Sequence, residues 1–214
     1  MHEDDRECKF RKIAALFEKV KVLSLYTQET DPTFKDFIQP IDEVNRAFDH
    51  LARALNTKDA SRDETYVNKN LDKCLSHLYR AFFDVADWTS FILRERIIKE
   101  LDGYSHDCIQ SVIPEYYQSI RPKLEFLNTS IATVRTKKDI AANDLLHLTI
   151  EYEEIINELD GYVQVIVQRK TSLDDYEGRC AKKEAGKRRF TWVVAVIAAI
   201  VGAGIAFLLS LLLQ

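Results

Sequence analysis

Three polar side chains stand out in the sequence because their spacing could assemble a binding site. His77, Arg80 and Asp84 follow one another at spacings of three and four residues in the segment NLDKCLSHLYRAFFDVADW. On a helix these spacings put all three on one side, and Arg80 and Asp84 can form an i,i+4 ion pair. Two interpretations stay open: a polar seam on a packed helix, or a pocket between helices that binds an anionic or nucleotide-like ligand.

The remainder of the sequence lacks the motifs of common enzyme classes. It contains no glycine-rich phosphate loop, no Walker sequence, no GxSxG and no HExxH. Its five histidines and four cysteines show no metal-ligand spacing. We therefore expect no catalytic residues, no metal, no cofactor and no enzymatic activity.

Helical periodicity runs along the chain and predicts an all-α fold. The sequence has only six glycines and four prolines, and no strand-like alternation persists. The first three predicted helices cover residues 3–26, 40–56 and 64–101, and the third carries the three polar residues. Because a short polar turn joins the second and third helices, we expect them to lie antiparallel. The large apolar residues of the second helix share one face: Ile41, Val44, Phe48, Leu51 and Leu55.

A seven-residue apolar repeat dominates residues 124–176. Fourteen of its sixteen repeat positions are apolar or aromatic, and the exceptions are Lys138 and Arg169. A repeat of this length predicts a helix that is packed along its whole length. Its partner is either the rest of the same bundle or a second copy of the chain, and the sequence does not separate the two. The predicted architecture is an antiparallel bundle of long helices.

Residues 190–214 form an uncharged apolar stretch that predicts a single-pass transmembrane helix. At 1.5 Å per residue the stretch reaches about 36 Å, somewhat more than a hydrocarbon core requires. Small residues recur every four positions in it: Ala198, Gly202, Ala206 and Ser210. Small residues at this spacing let helices approach closely in a membrane, so we expect a homo-oligomer.

A basic segment immediately before this stretch predicts its orientation. Arg179 opens this segment, and its further bases are Lys182, Lys183, Lys187, Arg188 and Arg189. By the positive-inside rule they place the preceding residues in the cytosol, and they would attract anionic lipid headgroups. The expected domains are a helical bundle (residues 1–178), a basic juxtamembrane segment (179–189) with a hinge between Gly178 and Gly186, and the span (190–214). The net charge is −4 overall, and the body before the basic segment is acidic, so we expect no nucleic-acid partner.

The region around His77 resembles the helical core of HEPN-like proteins. Those proteins carry a similar H-L-x-R-A-x-x-D run on two long antiparallel helices, and the matching residues here are His77, Leu78, Arg80, Ala81 and Asp84. The resemblance covers about residues 40–100 and implies a helical scaffold. RNase members of that superfamily have an Arg followed by four to six residues and a His. The nearest pair here, Arg46 and His50, has three residues between, which argues against RNA cleavage.

Single-span helical proteins of this kind are similar to bacterial anti-phage effectors, which implies a membrane-acting role. The leading hypothesis is a non-enzymatic oligomeric membrane effector. Its cytosolic domain would sense a protein or small-molecule activator, and its clustered tail helices would perturb or permeabilise the bilayer. The alternative is a tail-anchored adaptor or tether built on a coiled coil. A SNARE ranks low because Lys138 and Arg169 fit poorly as the central polar layer, and a divergent HEPN nuclease ranks third.

Overall fold

The computed structural model describes residues 2–31, 38–56, 63–138 and 145–212, with side chains described for residues 5–31, 38–56, 63–133 and 145–203. Within these residues every regular element is helical and there is no strand, which confirms the all-α prediction. The elements are α1 (His2–Thr30), α2 (Ile38–Leu55), α3 (Glu64–Leu101), α4 (His106–Val112), a π-helical turn (Tyr116–Ile120), α5 (Arg121–Lys138) and α6 (Leu145–Leu212).

Helix α3 contributes much of the core, and local signals fix both of its ends. The side chain of Asp63 accepts a hydrogen bond from the backbone N–H of Tyr66 at 2.9 Å and so caps the first turn. Beyond the last turn, Gly103 has a φ of 84°, a left-handed conformation that glycine adopts without steric strain. The helix therefore begins and ends where the sequence predicts.

Helix α2 lies antiparallel to α3, as predicted. Glu43 near the start of α2 contacts His77, whereas His50 further along α2 contacts Asn70, which precedes His77 in α3. The pairing therefore runs in opposite directions along the two helices.

The three longest helices, α1, α3 and α6, run parallel to one another, which corrects the prediction of an antiparallel bundle of long helices. Residue numbers rise together in the contacts between α1 and α3 and between α3 and α6: Lys9 with Asp72, Thr27 with Thr89, Asp87 with Tyr152, and Glu100 with Lys170. The shorter helices make this possible because α2 returns the chain between α1 and α3. Helix α5 lies antiparallel to α6, with Lys123 near its start 3.5 Å from Glu158.

The apolar repeat packs inside the chain's own bundle. Its positions Tyr152, Leu159, Ile166 and Leu173 are fully buried, and Tyr152 lies with its ring centroid 5.7 Å from that of Phe83 in α3. The repeat is carried by two helices, α5 and α6, rather than by the one helix that we predicted. The repeat position Ala141 lies outside the described residues.

Helix α2 packs on the bundle through its small residues. Pro40, Ala47 and Ala54 are buried, because their short side chains allow the backbone of α2 to come close to α3. The predicted apolar face is therefore divided. Val44 and Leu51 are half-buried against the core, whereas Ile41, Phe48 and Leu55 are exposed, Phe48 to 69%.

Helix α6 continues without a break for 68 residues, or about 100 Å at 1.5 Å per residue. It passes through Gly178 and Gly186 as regular helix, so the structure shows no break at the predicted hinge. Leu173 is its last fully buried residue, and from residue 181 to residue 203 every described side chain is exposed. The boundary that we predicted at residue 178 lies inside this one helix, and the division into domains stays a prediction.

Candidate functional site

The predicted polar residues lie on the side of α3 that meets α2, and the residue that gathers them is Glu43. His77 Nδ1 lies 2.7 Å from Glu43 Oε2, and both side chains are mostly buried, at 14% and 16% exposure. Arg80 Nη1 lies 3.9 Å from the same Glu43 oxygen, although the Arg80 side chain is 62% exposed. Arg80 thus meets a carboxylate on the neighbouring helix, which the i,i+4 spacing within α3 could not indicate.

A second histidine extends this contact along the two helices. The rings of His50 and His77 stack with centroids 5.3 Å apart and an angle of 13° between their planes. His50 Nδ1 lies 3.0 Å from Asn70 Oδ1, and the Asn70 amide donates to the Tyr66 carbonyl at 2.9 Å. We call the set Glu43, His50, Asn70, His77 and Arg80 the interhelical seam. Its polar atoms contact one another, so its chemistry is that of a bridge that orients α2 on α3.

Asp84 lies outside this seam. It borders a separate groove of about 380 Å³ with Gln39, Asp87, Trp88, Phe91 and Arg94. In that groove the Trp88 indole donates to Asp31 at 3.3 Å, and Asp87 accepts from the Tyr152 hydroxyl. The structure therefore brings His77 and Arg80 together at Glu43, whereas Asp84 lines the neighbouring groove. A shared ligand-binding role for the three residues stays a prediction.

A larger groove of about 630 Å³ lies between α1 and α6, and no sequence motif indicated it. Its lining is mainly apolar, with Val22, Leu23 and Ile156, and polar pairs bridge its two helices. Lys19 forms an ion pair with Glu153, and the Tyr26 hydroxyl donates to Asp160 at 2.6 Å. Burial, together with the Asp160 carboxylate, raises the pKa of Tyr26 to about 12.

No metal centre emerges from the part of the chain that the structure describes. No group of three or more His, Cys, Asp or Glu side chains there is arranged to hold a metal ion. Cys74 and Cys108 are buried, and burial raises the pKa of the Cys74 thiol to about 11. A thiol with so high a pKa is a poor nucleophile near neutral pH.

The basic segment and the apolar residues that follow it project from the bundle on the exposed part of α6. We call residues 181–212 the tail helix. The five predicted bases from Lys182 to Arg189 are exposed, and Arg188 lies 4.0 Å from Glu184. The large apolar residues of the tail helix with described side chains are exposed: Phe190, Trp192, Val193, Val194, Val196, Ile197, Ile200 and Val201.

The predicted small-residue stripe begins on this exposed surface. Ala198 and Gly202 are exposed, and a Cβ added at Gly202 would meet no atom within 4 Å. The side chains of Ala206 and Ser210 lie outside the described residues. Among the side chains that the structure describes, the last being that of Ala203, no helix has an apolar stretch long enough to cross a membrane.

Comparison with protein-family models, with curated proteins and with solved structures finds no significant match. The resemblance to HEPN-like proteins therefore stays a prediction from the residues quoted above.

Proposed function

We propose that this protein is a non-enzymatic membrane effector, anchored by residues 190–214 with its helical bundle in the cytosol. The observation that carries the proposal is the continuity of α6. One helix holds the core of the bundle with Leu159, Ile166 and Leu173 and then extends into the exposed apolar tail. A change in the packing of α6 would therefore be transmitted along a rigid helix to the membrane.

The environment of the tail helix supports a lipid partner. Exposed apolar surface destabilises a chain in water by about 25 cal/mol for each Å² that could be buried. The apolar side chains of the tail helix, counted together with its alanines, lie on every side of the helix axis. Packing against one flat protein surface would therefore leave many of them in water. A hydrocarbon environment covers the whole circumference, and the bases just before it match an anionic cytosolic surface.

The stripe Ala198, Gly202, Ala206 and Ser210 supports assembly of the tails. It begins on an open surface, since no described atom of the chain packs on Gly202. Small residues at this spacing allow two helices to make close van der Waals contact in lipid. Clustered tails would then perturb or permeabilise the bilayer, as expected of an effector of the anti-phage type, once a protein or small-molecule activator acts on the bundle.

The test is to replace Gly202 and Ala206 with Leu in the full chain and to measure its mass in detergent by light scattering. We expect the measured mass to fall while circular dichroism of the bundle stays unchanged. The matched control replaces Val193 and Ile197 with Leu, which changes another side of the same helix and should keep the oligomer. Dye release from vesicles should fall only for the first variant. An unchanged mass for that variant would refute tail clustering.

An adaptor or tether is the second candidate, and the exposed face of α2 favours it. Ile41, Phe48 and Leu55 present apolar surface that could receive another protein. A SNARE-like coiled coil is less well supported, because the apolar repeat of α6 is used within the bundle. Replacing residues 190–214 with an unrelated anchor separates the two candidates. A tether would keep its activity, whereas an effector that acts through its tails would lose it.

A further inference from the structure

The exposed face of α2 has a pattern that points to one specific partner. Its large apolar residues form what we call the α2 stripe: Ile38, Ile41, Phe48 and Leu55, exposed by 73, 54, 69 and 61%. Ile41 and Leu55 each lie seven residues from Phe48, so these three residues are symmetric about Phe48. A surface that is symmetric about its own centre can pair with an identical surface through a two-fold axis.

The charges beside the stripe have the complementary symmetry. Asp42, Arg46, Asp49 and Arg53 follow at spacings of four, three and four, so they line one flank of the stripe. When a second α2 runs antiparallel and is centred on Phe48, Asp42 lies within one residue, or about 1.5 Å along the axis, of the position opposite Arg53. Arg46 lies equally close to the position opposite Asp49. In an antiparallel pair the charged flank of one helix lies beside the charged flank of the other. In a parallel pair it would lie beside the opposite, uncharged flank of the partner.

These four charged side chains form ion pairs within α2 that can be replaced by ion pairs with a second α2. Arg46 Nη2 lies 2.8 Å from Asp42 Oδ2, and Arg53 Nη2 lies 2.7 Å from Asp49 Oδ2. In each pair the two residues are four positions apart on α2. All four side chains are more than half exposed. Exposed ion pairs contribute little to stability, so exchanging partners with a second helix is not opposed by a strong existing bond.

We propose that α2 is a homotypic docking surface that pairs two copies of this chain in antiparallel fashion around Phe48. The buried side of α2 stays on its own bundle through Ala47 and Ala54, so docking requires no opening of the fold. The partner is a second copy rather than a lipid surface. The charges alternate in sign, so they match the same row of charges read in the opposite direction, whereas anionic headgroups would repel its two acids.

The pairing also sets the direction of the two chains. Helix α2 is antiparallel to α3, and α3 is parallel to α6, so an antiparallel α2 pair makes the two α6 helices run in opposite directions. The two tail helices then leave from opposite ends of the pair. With the proposed membrane anchor, the contact joins chains from facing membranes rather than neighbours in one membrane. Only this consequence, and not the α2 pairing itself, rests on the proposed anchor.

Cysteine cross-linking of the full chain in detergent tests the contact independently of the anchor. Cys8 and Cys180 are first changed to Ser, which leaves only the buried Cys74 and Cys108. Chains with Ile41→Cys and chains with Leu55→Cys, carrying different affinity tags, are then mixed and oxidised. We expect disulfide-linked dimers that contain both tags. In an antiparallel pair the two copies of position 41 would be about 21 Å apart along the helix, so dimers with one tag should be rare.

Charge reversal provides the matched control. With Arg46→Glu and Arg53→Glu in both mixed chains, four acids face four acids and the mixed cross-link should fall at least tenfold. Placing Asp42→Lys and Asp49→Lys in the second chain, with its arginines kept, makes the flanks complementary and should restore it. Circular dichroism verifies that each variant is folded. The proposal is overturned by dimers linked mainly through position 41 of both chains, by no cross-link above that of a single-cysteine control, or by a cross-link that is insensitive to charge reversal.

Discussion

The two halves of α6 belong to one helix but meet opposite environments. In the bundle half, residues 145–180, one side is apolar and the remaining sides carry charges, and Tyr152, Leu159 and Ile166 are fully buried. In the tail helix, charges end at Arg189 and apolar side chains follow on every side, all of them exposed where described. The bundle half packs against other helices of the chain, whereas the described side chains of the tail helix are exposed.

In α6 the distribution of apolar residues around the helix is more informative than their number. A one-sided stripe can be satisfied by neighbouring helices of the same fold. An apolar circumference requires an environment on all sides, and a bilayer provides one. Four sets of substitutions test this contrast between the bundle and the tail.

The largest effect is expected from truncating a buried side chain in the bundle half. Leu159→Ala removes atoms from a fully buried position and should lower the free energy of unfolding by about 3 kcal/mol. Ile197→Ala is the matched change in the tail helix, where the side chain contacts no core, and should leave that free energy within about 0.5 kcal/mol. Denaturant unfolding followed by circular dichroism measures both. Equal losses would contradict the division of α6 into two environments.

The next effect concerns the bases that precede the tail. In a fragment of residues 1–189, Arg188→Gln with Arg189→Gln should weaken binding to phosphatidylserine vesicles by about thirtyfold, at about 1 kcal/mol per base. Arg11→Gln with Lys12→Gln removes the same charge from an exposed part of α1 and should have little effect. Co-sedimentation with vesicles measures the binding. A similar loss in both variants would mean that net charge, and not this segment, determines the attraction.

A smaller effect is expected at the interhelical seam. His77→Ala leaves the mostly buried Glu43 carboxylate without its closest partner, so it should destabilise the bundle by about 1–2 kcal/mol. Arg80→Ala removes an exposed group 3.9 Å from the same oxygen and should have an effect below about 0.5 kcal/mol. Thermal unfolding separates the two variants. If Arg80→Ala were the more damaging, the seam would be a charge-dependent site rather than a packing contact.

The smallest effect is a dependence on alkaline pH at the groove between α1 and α6. The pKa of Tyr26 is raised to about 12 in the fold, so the folded state holds this proton more tightly than the unfolded state does. Its contribution to stability is therefore complete below about pH 10 and is lost as the pH rises towards 12. Tyr26→Phe should remove this part of the pH dependence, and unfolding midpoints measured from about pH 9 to 12 test it. An identical alkaline profile for the variant would exclude Tyr26 as its source.

The sequence predicted the elements better than their arrangement. The ends of α3 follow from Asp63 and Gly103, which act on adjacent backbone groups and are therefore visible locally. The parallel course of α1, α3 and α6 was not predictable in this way, because it depends on contacts between residues that are far apart in the chain. The partner of the apolar repeat was left open for the same reason.

The candidate site was also only partly predictable, because some of its residues are far apart in the chain. His77 and Arg80 were recognised from their helical spacing, but Glu43 and His50 come from another helix, and only the antiparallel packing of α2 brings them near. The sequence analysis also did not predict that Phe48 points away from the bundle. Its spacing fits a buried face, yet the small residues Ala47 and Ala54 form the actual contact. A signal was present, since Pro40, Ala47 and Ala54 recur every seven residues in the sequence.

The most direct test of the central claim is the partition of the full chain beside that of residues 1–189 after cell lysis. Truncation removes no described buried side chain, so both should contain the folded bundle. We predict that the full chain sediments with membranes, withstands washing with high salt and is released only by detergent. Any of the 1–189 fragment that binds through its bases should be removed by the salt wash. A full chain that remains monodisperse in the supernatant without detergent would contradict the claim that lipid surrounds the tail helix.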